Sequence, residues 1–451
     1  MIESMVNSIR LHIPSNNVPE RLYAIEVLFK ELLCMDYDVV EEKDQIESLL
    51  IQAGDKVFAF EDHFWNNHLA PNSYLSKENI PHSITNLSSF KALNIPIIYG
   101  EDKFLVEKKR TLCGLDILAS TFFMLTRWEE YVLGRKDSGK CKEDDLLCVK
   151  EGYARAPVVH VYEEFLKYLL NKAEIKVKCN REFKIKTTHD VDRCYLTGWG
   201  ELLGNAKRIY AKGNKQLAWK IVKDYIWLKT HFKNPFDTYE FFMDCAEQIG
   251  IKDEFYFKCC DVNEIGTTYQ IGDKEVQRFI KCIKKRNHNI GFHPSESTYA
   301  NHSQFVKEVE RLIQGAQLTS LIGRNHMLLI TPATFRDWEM AHAKYVSNYG
   351  YQARNGFRCG IAVPFKIFDF EQRRMSSLTE IPFEVMDTVM LRNKPSFDDA
   401  LSDIIDIIRI VKEYKGTLCT NWHTNVYNMR AMQKYLKIYP ALINYVNKLI
   451  N

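Results

Sequence analysis

The chain has no long apolar run and no dominant charge. No stretch reaches the roughly 18 apolar residues of a membrane-spanning helix, and the residues up to Pro14 include Glu3 and Arg10 instead of the apolar core of a signal peptide. Lys and Arg number 61 and Asp and Glu 58, so the formal net charge is only +3. This balance offers no electrostatic case for nucleic acid or an anionic membrane. We expect a cytoplasmic protein without a membrane span.

The cysteines lack the spacing of a zinc knuckle or a disulfide framework. The 12 cysteines are scattered, the only close pair is Cys259 and Cys260, and no C-x-x-C occurs. This distribution predicts reduced, mostly buried thiols.

Length predicts two or three domains, and composition predicts a soluble globular protein. The chain has 451 residues, of which 46% are hydrophobic and 26% charged. Residues 1–175 are predicted to form a smaller N-terminal α+β domain of unknown role. Its segment 115–130 has the pattern of a buried helix, and we interpret the terminal pair Glu129 and Glu130 as a solvated helix end. A polar run at 171–181 then serves as a linker.

Residues 183–451 show a repeated alternation of strand and helix patterns. Such β-α units imply a parallel sheet, and over this length a barrel is the natural closure. A stretch at about 197–236 is predicted to be a helical insertion after the first strand, because a structureless loop of that length would be unusual. The fold class is therefore α/β.

The segment Phe183-Lys-Ile-Lys-Thr-Thr-His-Asp-Val-Asp192 alternates like a β-strand. Successive strand residues point to opposite faces, which places Asp190 and Asp192 on one side and His189 on the other. The C-terminal end of a parallel strand is where an α/β barrel holds its catalytic groups. An Asx turn or helix cap is the alternative interpretation.

Reactive side chains also end three later strand patterns: His293, then Arg324 with His326, then His423. Asp and His converging on one point suit a divalent metal such as zinc, which binds oxygen and imidazole nitrogen. A second carboxylate nearby can act as general base on water.

The order of these motifs resembles the NodB-homology polysaccharide deacetylases, carbohydrate esterase family four. The resemblance covers about 183–430 and rests on Thr188-His-Asp-Val-Asp192, Ile290-Gly-Phe-His-Pro-Ser295, Arg324-Asn-His326, Gly356-Phe-Arg-Cys-Gly360 and Trp422-His423. It implies a distorted (β/α)7-type barrel that removes acetyl groups from N-acetylated sugars. The segment 122–130 resembles the uncharacterised N-terminal domain that precedes such barrels in a bacterial subgroup.

The resemblance also implies roles for individual residues. Asp190 would be the general base, and Asp192 and His293 metal ligands. Arg324 would orient the base, with Arg358 as the competing candidate, and His423 would protonate the departing amine. Arg358 and Trp422 are the candidate substrate-binding residues.

The sequence departs from the family pattern at the second metal histidine, where Ser297 stands. A hydroxyl is a poor zinc ligand, so the matched site retains only Asp192 and His293. His326 is the candidate third ligand, with His189 and, more weakly, His302 as alternatives. The implied cofactor is a divalent metal, with zinc the first choice.

These observations favour a hydrolase that uses metal-activated water to remove an acyl group from an N-acetylated sugar or sugar conjugate. Two alternatives stay open: metal-independent hydrolysis of a small amide, and a catalytically silent barrel that binds a glycan or a partner protein. The predicted partner is thus a carbohydrate.

Overall fold

A computed structural model describes residues 9–44, 46–134, 141–196, 198–261 and 269–450. The chain divides into two compact units, one running to Glu182 and including Gly356–Pro382, the other containing Phe183–Asn355 and Phe383–Asn451. The predicted domain start at residue 1 and insertion start at residue 197 lie outside the described residues.

The first unit combines a mixed β-sheet with helices packed on it. Its helices are α1 (Val18–Ile25, continued by a π-helix at Glu26–Leu32), α2 (Ile117–Thr126), α3 (Trp128–Leu133), α4 (Leu147–Lys150) and α5 (Val158–Lys172). Its strands before the linker are β1 (Ile9–Pro14), β2 (Tyr37–Glu42), β3 (Glu47–Ala53), β4 (Lys56–Glu61), β5 (Thr85–Asn86), β6 (Pro96–Ile97), β7 (Gly100–Val106) and β8 (Arg110–Leu115).

Six of these strands form one sheet in the order β2-β1-β3-β4-β8-β7 within the described part of the chain. Every residue of α2 is buried, which explains why its sequence is apolar on all sides. Asp116 begins this helix, since its side chain accepts a hydrogen bond from the Ala119 amide.

Residues 356–382 lie outside the second unit, which differs from the predicted domain at 183–451. They contain the antiparallel strands β14 (Phe365–Asp369) and β15 (Arg374–Glu380). The Tyr23 hydroxyl donates to the Lys366 carbonyl at 2.8 Å, and Arg373 makes two 2.8 Å hydrogen bonds to Glu20. These contacts join the hairpin to helix α1, more than 300 residues away in sequence.

The interpretation of Glu129 and Glu130 as a solvated helix end is wrong. Glu129 is completely buried, and both carboxylates pair with the buried Arg127. Arg358 also pairs with Glu130, so these charges form a buried network. Burial without such partners would be costly.

The expectation of reduced cysteines is also wrong for one pair. Cys34 and Cys179, 145 residues apart, form a disulfide. Such a pairing follows from tertiary proximity and cannot be read from cysteine spacing. Eight of the remaining described cysteines are buried thiols, as the sequence predicts.

The second unit alternates strands and helices. Its helices are α6 (Trp199–Ala211), α7 (Lys215–His231), α8 (Tyr239–Glu247), α9 (Lys274–Lys285), α10 (His302–Ala316), α11 (Pro332–Met340), α12 (Thr388–Asn393), α13 (Phe397–Glu413) and α14 (Ile438–Ile450). Its strands are β9 (Lys184–Val191), β10 (Glu254–Phe257), β11 (Asn289–Phe292), β12 (Ile322–Gly323), β13 (Tyr345–Val346), β16 (Val385–Met386) and β17 (Thr417–Asn421).

These seven strands lie side by side in the order β13-β12-β11-β10-β9-β17-β16, and every described pairing between them is parallel. Their C-terminal ends therefore share one edge. Helices α6 and α7 occupy the predicted insertion between β9 and β10. None of the described helices is both long and apolar enough to cross a bilayer.

A described backbone hydrogen bond joins the segment after β13 to the segment before β16. Phe383, just before β16, donates its N–H to the Tyr349 carbonyl, just after β13, at 3.1 Å. Strands β13 and β16 themselves show no ladder pairing to each other in the described residues.

Candidate active site

Asp190 stands at the end of β9 and is 3% exposed. Its two carboxylate oxygens have separate donors: Arg324 Nη1 is 3.0 Å from Oδ1, and Asn421 Nδ2 is 2.8 Å from Oδ2. Asn421 reaches it because β17 runs parallel to β9 and aligns Asn421 with Thr188. The carboxylate is thus held by Arg324, which follows β12, and by Asn421 of the adjacent β17.

Arg324 is completely buried and is fixed on all sides of its guanidinium. Nε donates to the Ser347 carbonyl at 2.6 Å, and Nη2 donates to Ser347 Oγ at 2.8 Å and to Thr188 Oγ1 at 3.0 Å. This planar set of donors leaves Nη1 for Asp190. Arg324 therefore positions the carboxylate.

His423 approaches Asp190 from the end of β17. Its Nε2 is 3.8 Å from Asp190 Oδ2, and its Nδ1 is 2.7 Å from Asp387 Oδ1. Asp387 also accepts the His423 backbone N–H at 2.8 Å. Burial disfavours the imidazolium, but Asp387 and then Asp190 outweigh it and raise the pKa of His423 to about 9.

Nearby positive charges lower the pKa of Asp190. Burial opposes its ionisation, but His293, Arg324 and His423 lower the pKa of Asp190 to about 2. A carboxylate and an imidazolium thus coexist at neutral pH. Such a pair can accept a proton at one atom and donate one at the other.

A second group of side chains lies beside this pair. Asp192 Oδ1 is 3.4 Å from His293 Nε2 and 3.3 Å from His326 Nε2. One ligand atom from each residue lies within 4.8 Å of the others. Burial opposes ionisation of Asp192, but Lys258, His293 and His326 lower its pKa well below the usual value.

The protonation of these side chains suits a divalent cation. His293 Nδ1 is 2.6 Å from the Arg324 carbonyl, which can only accept a hydrogen bond, so the neutral tautomer that makes this bond has its lone pair on Nε2. Burial lowers the pKa of His326 to about 3, with Lys258 acting in the same direction, so this imidazole is neutral. His293 Nε2 and Asp192 Oδ1 are buried without a hydrogen-bond partner. Two imidazole nitrogens and one carboxylate oxygen fit zinc.

Lys258, Asp387 and Asn421 belong to the site but are not among the residues that the sequence predicts. Lys258 follows β10 directly, is 1% exposed, and places Nζ 3.5 Å from Asp192 Oδ1. Asp387 follows β16 directly. Both satisfy the strand-end criterion that selected the other residues, but β16 is two residues long and gives no strand pattern in the sequence.

The other candidate metal ligands are engaged elsewhere. His189 is 3.2 Å from Asp253 and stacks on Phe255, on the opposite face of β9 as the strand period predicts. His302 Nδ1 is 2.7 Å from Asp337. Ser297 Oγ lies 2.9 Å from Ser295 Oγ.

The two candidate substrate-binding residues have structural partners. Arg358 belongs to the first unit, where it pairs with Glu130. Trp422 is 1% exposed, and its ring packs on Tyr439 at 5.1 Å. A substrate contact by either side chain stays a prediction.

Comparisons with known proteins give one family match and a set of similar solved structures. Residues 9–174 match DUF7033, a family of unknown function. No curated protein matches the sequence. Among solved structures, a candidate polysaccharide deacetylase from Mycobacterium smegmatis is similar with a TM-score of 0.39 and 10% identity over 60% of this chain and 85% of that one. A candidate polysaccharide deacetylase involved in O-antigen biosynthesis in Bordetella bronchiseptica gives 0.31 and 14% over 58% and 81%.

Proposed function

We propose that the second unit is a hydrolase that removes an acyl group from the nitrogen of an acylated amino sugar or its conjugate. The observation that carries this proposal is that Asp190, which is ionised, lies 3.8 Å from His423, which is protonated. The cluster of Asp192, His293 and His326 lies beside them. The motif order that resembles the deacetylase family supports the substrate class.

Different residues carry out the two proton transfers of amide hydrolysis. Asp190, held by Arg324, takes a proton from water as the water oxygen bonds to the acyl carbon. His423, held by Asp387, gives its Nε2 proton to the sugar nitrogen as the carbon-nitrogen bond breaks. The products are the free acid and the amine, and each proton transfer has its own side chain.

Asp192, His293 and His326 are the residues that would hold the cation. A bound divalent metal supplies Lewis-acid polarisation of a carbonyl oxygen and lowers the pKa of water. The chain contributes the neutral His326, the oriented His293 and the ionised Asp192. His326 thereby substitutes for the histidine that Ser297 replaces.

The proposed fold of this unit is a distorted seven-stranded barrel. Seven parallel strands and the hydrogen bond from Phe383 to Tyr349 support it. A barrel would bring β16, with Asp387 after it, close to the strand ends that hold Arg324 and His326.

The test is acetate release from N-acetylglucosamine oligomers by the zinc-loaded protein. Asp190→Asn should reduce kcat by about 10²–10⁴-fold in a protein that still folds, with folding checked by far-UV circular dichroism. Asp337→Asn is the matched control, because Asp337 also pairs with a histidine in this unit but outside the cluster. Undiminished turnover in Asp190→Asn would refute the proposal, and tight oligomer binding without turnover by the unmodified protein would favour a binding role.

Lys258 favours one alternative, hydrolysis of an amide without a metal. Its ammonium lies beside the carboxylate that a metal would use, and a cation at this position competes with a metal through charge repulsion. Activity that survives exhaustive chelation and falls in Lys258→Met would establish this alternative. Activity that disappears on chelation and returns with zinc would exclude it.

A further inference from the structure

The second unit contains a cavity that the proposed chemistry does not use. It has a volume of about 1100 Å³ and is lined by residues of α6, α7 and α12 and of the segment from Met429 to Tyr435. Small-molecule sites usually occupy about 300–1,000 Å³, so this cavity is large enough for a sizeable ligand.

The walls of the cavity are mainly apolar. The contributing side chains include Leu202, Ile209, Ile221, Leu228, Met390 and Met429. Leu202, Leu228 and Met390 are buried, so this surface is built into the unit. Such walls suit a hydrocarbon chain, whereas a sugar ring would leave its hydroxyls without partners.

The rim of the same cavity is strongly basic. Among the described lining residues, seven are Lys or Arg and one, Asp224, is acidic. Lys212, Lys220, Lys394 and Arg430 are exposed to solvent. An apolar interior with a cationic rim is complementary to an amphiphile with an anionic head, and phosphate is the group that several Lys and Arg side chains hold best.

Helices α6 and α7 also present apolar side chains to solvent. Trp199 is 49% exposed, Leu203 53%, Tyr210 48% and Trp219 63%. Lysines at 207, 215 and 223 lie on the same helices and are exposed. Large aromatic and aliphatic side chains mixed with lysine are typical of helices that lie in a membrane interface.

Two residues that line the cavity are close in sequence to residues of the candidate active site. Arg193 lines the cavity and directly follows Asp192 of the metal cluster. Met390 lines it three residues after Asp387, the partner of His423. A ligand in the cavity therefore lies next to segments that hold the reacting groups.

We propose that this cavity binds a membrane lipid phosphate, with its hydrocarbon chain between α6, α7 and α12 and its phosphate on the basic rim. Helices α6 and α7 contact the bilayer surface from which the lipid comes. It follows that the substrate is an amino sugar carried on a lipid phosphate, and this consequence rests on the proposed function. The lipid site itself does not.

The first experiment measures binding of dodecyl phosphate to the full chain by intrinsic tryptophan fluorescence. Dodecyl maltoside has the same chain without charge, and inorganic phosphate has the charge without the chain. We expect dodecyl phosphate to bind at least about 10-fold more tightly than either compound. It alone has both a hydrocarbon chain for the apolar walls and a phosphate for the basic rim. Equal binding of the maltoside and the phosphate ester would overturn the proposal.

Variants separate the cavity from general surface charge. Lys212→Glu with Lys220→Glu reverses two rim charges and should weaken dodecyl phosphate binding at least about 10-fold. Lys207→Glu with Lys223→Glu is the matched control, since it makes the same charge change on the same helices away from the cavity. Equal losses in both pairs would mean nonspecific attraction only and would refute the site.

Filling the cavity tests the chain-binding part. Ile221→Trp should block dodecyl phosphate, whereas Ile226→Trp, on the exposed surface of the same helix, should not. Unimpaired binding in Ile221→Trp would contradict the proposal.

Membrane binding is measured by co-sedimentation with vesicles. The protein should bind vesicles containing phosphatidylglycerol and not those of phosphatidylcholine alone, and the rim variant should bind less. Binding that persists in Asp190→Asn would support the lipid site even if no hydrolysis is found. Turnover of N-acetylglucosamine oligomers without any lipid binding would refute the lipid site and leave the hydrolase proposal intact.

Discussion

Nε2 of His423 lies 3.8 Å from Oδ2 of Asp190, and the two side chains carry opposite charges at neutral pH. The separation exceeds that of a hydrogen bond, and each group has a hydrogen-bond partner of its own. Asp387 supports the imidazolium, and Arg324 supports the carboxylate. Asp190 is therefore ionised and His423 protonated between pH values of about 2 and about 9, which are the pKa values of the two groups.

The first prediction concerns pH. The proposed acid loses its proton as pH rises through about 9, so kcat/KM should fall there. Asp387→Asn removes the negative charge that raises the pKa of His423 and leaves burial, which lowers it. The alkaline limb of the pH-rate profile should move to lower pH. Asp406→Asn, an exposed carboxylate paired with Arg409, is the control, and an unchanged limb in Asp387→Asn would refute the role of His423 as acid.

The second prediction concerns the metal. His326→Ala removes one of three candidate ligands and should weaken zinc binding by more than about 100-fold, since the loss of an outer-shell partner alone costs 10–100-fold. Zinc content after dialysis, measured by elemental analysis, checks this. His302→Ala is the control because His302 pairs with Asp337 outside the cluster. Full zinc retention by His326→Ala would exclude His326 as the replacement ligand.

The third prediction concerns stability. Arg324→Met leaves the buried Asp190 without its cation and should lower the free energy of unfolding by about 3–5 kcal/mol. The exposed Arg409→Met should leave it nearly unchanged, because surface ion pairs are screened by water. Denaturant unfolding of both variants compares the two cases. Similar midpoints would mean that Arg324 does not hold Asp190 as described.

The fourth prediction concerns Gly323, which precedes Arg324. A Cβ at Gly323 would overlap the Phe292 carbonyl and come within 2.8 Å of the Trp338 ring. Gly323→Ala should therefore lower the free energy of unfolding by about 1–3 kcal/mol and reduce turnover by displacing Arg324. Gly204→Ala in α6, where a Cβ meets nothing within 4 Å, should stabilise the protein by about 0.5–1 kcal/mol. Wild-type turnover and stability in Gly323→Ala would contradict the close packing of β11 and β12.

Part of the site follows from local sequence. The two-residue period of a strand separates Asp190 from His189, and the structure shows these side chains on opposite faces with different partners. Parallel strands bring their C-terminal ends to one edge, which is why His293, Arg324 and His423 converge on Asp190. These relations depend only on alternation and strand direction.

Other features required the three-dimensional structure. Lys258 and Asp387 follow β10 and β16 directly, but their contacts with Asp192 and His423 are made between segments far apart in the chain. The basic rim of the cavity could not be predicted from the net charge of +3, because a sum over 451 residues contains no information about where the charges lie.

Strand alternation, the order of the β-α units and the residues at strand ends were determined by the sequence itself, since each depends on neighbours a few positions apart. Only the tertiary structure decided that residues 356–382 pack with the first unit, that Cys34 meets Cys179, and that His326 joins Asp192 and His293. Those contacts join segments far apart in the chain, and their geometry is set by packing, which local pattern does not encode.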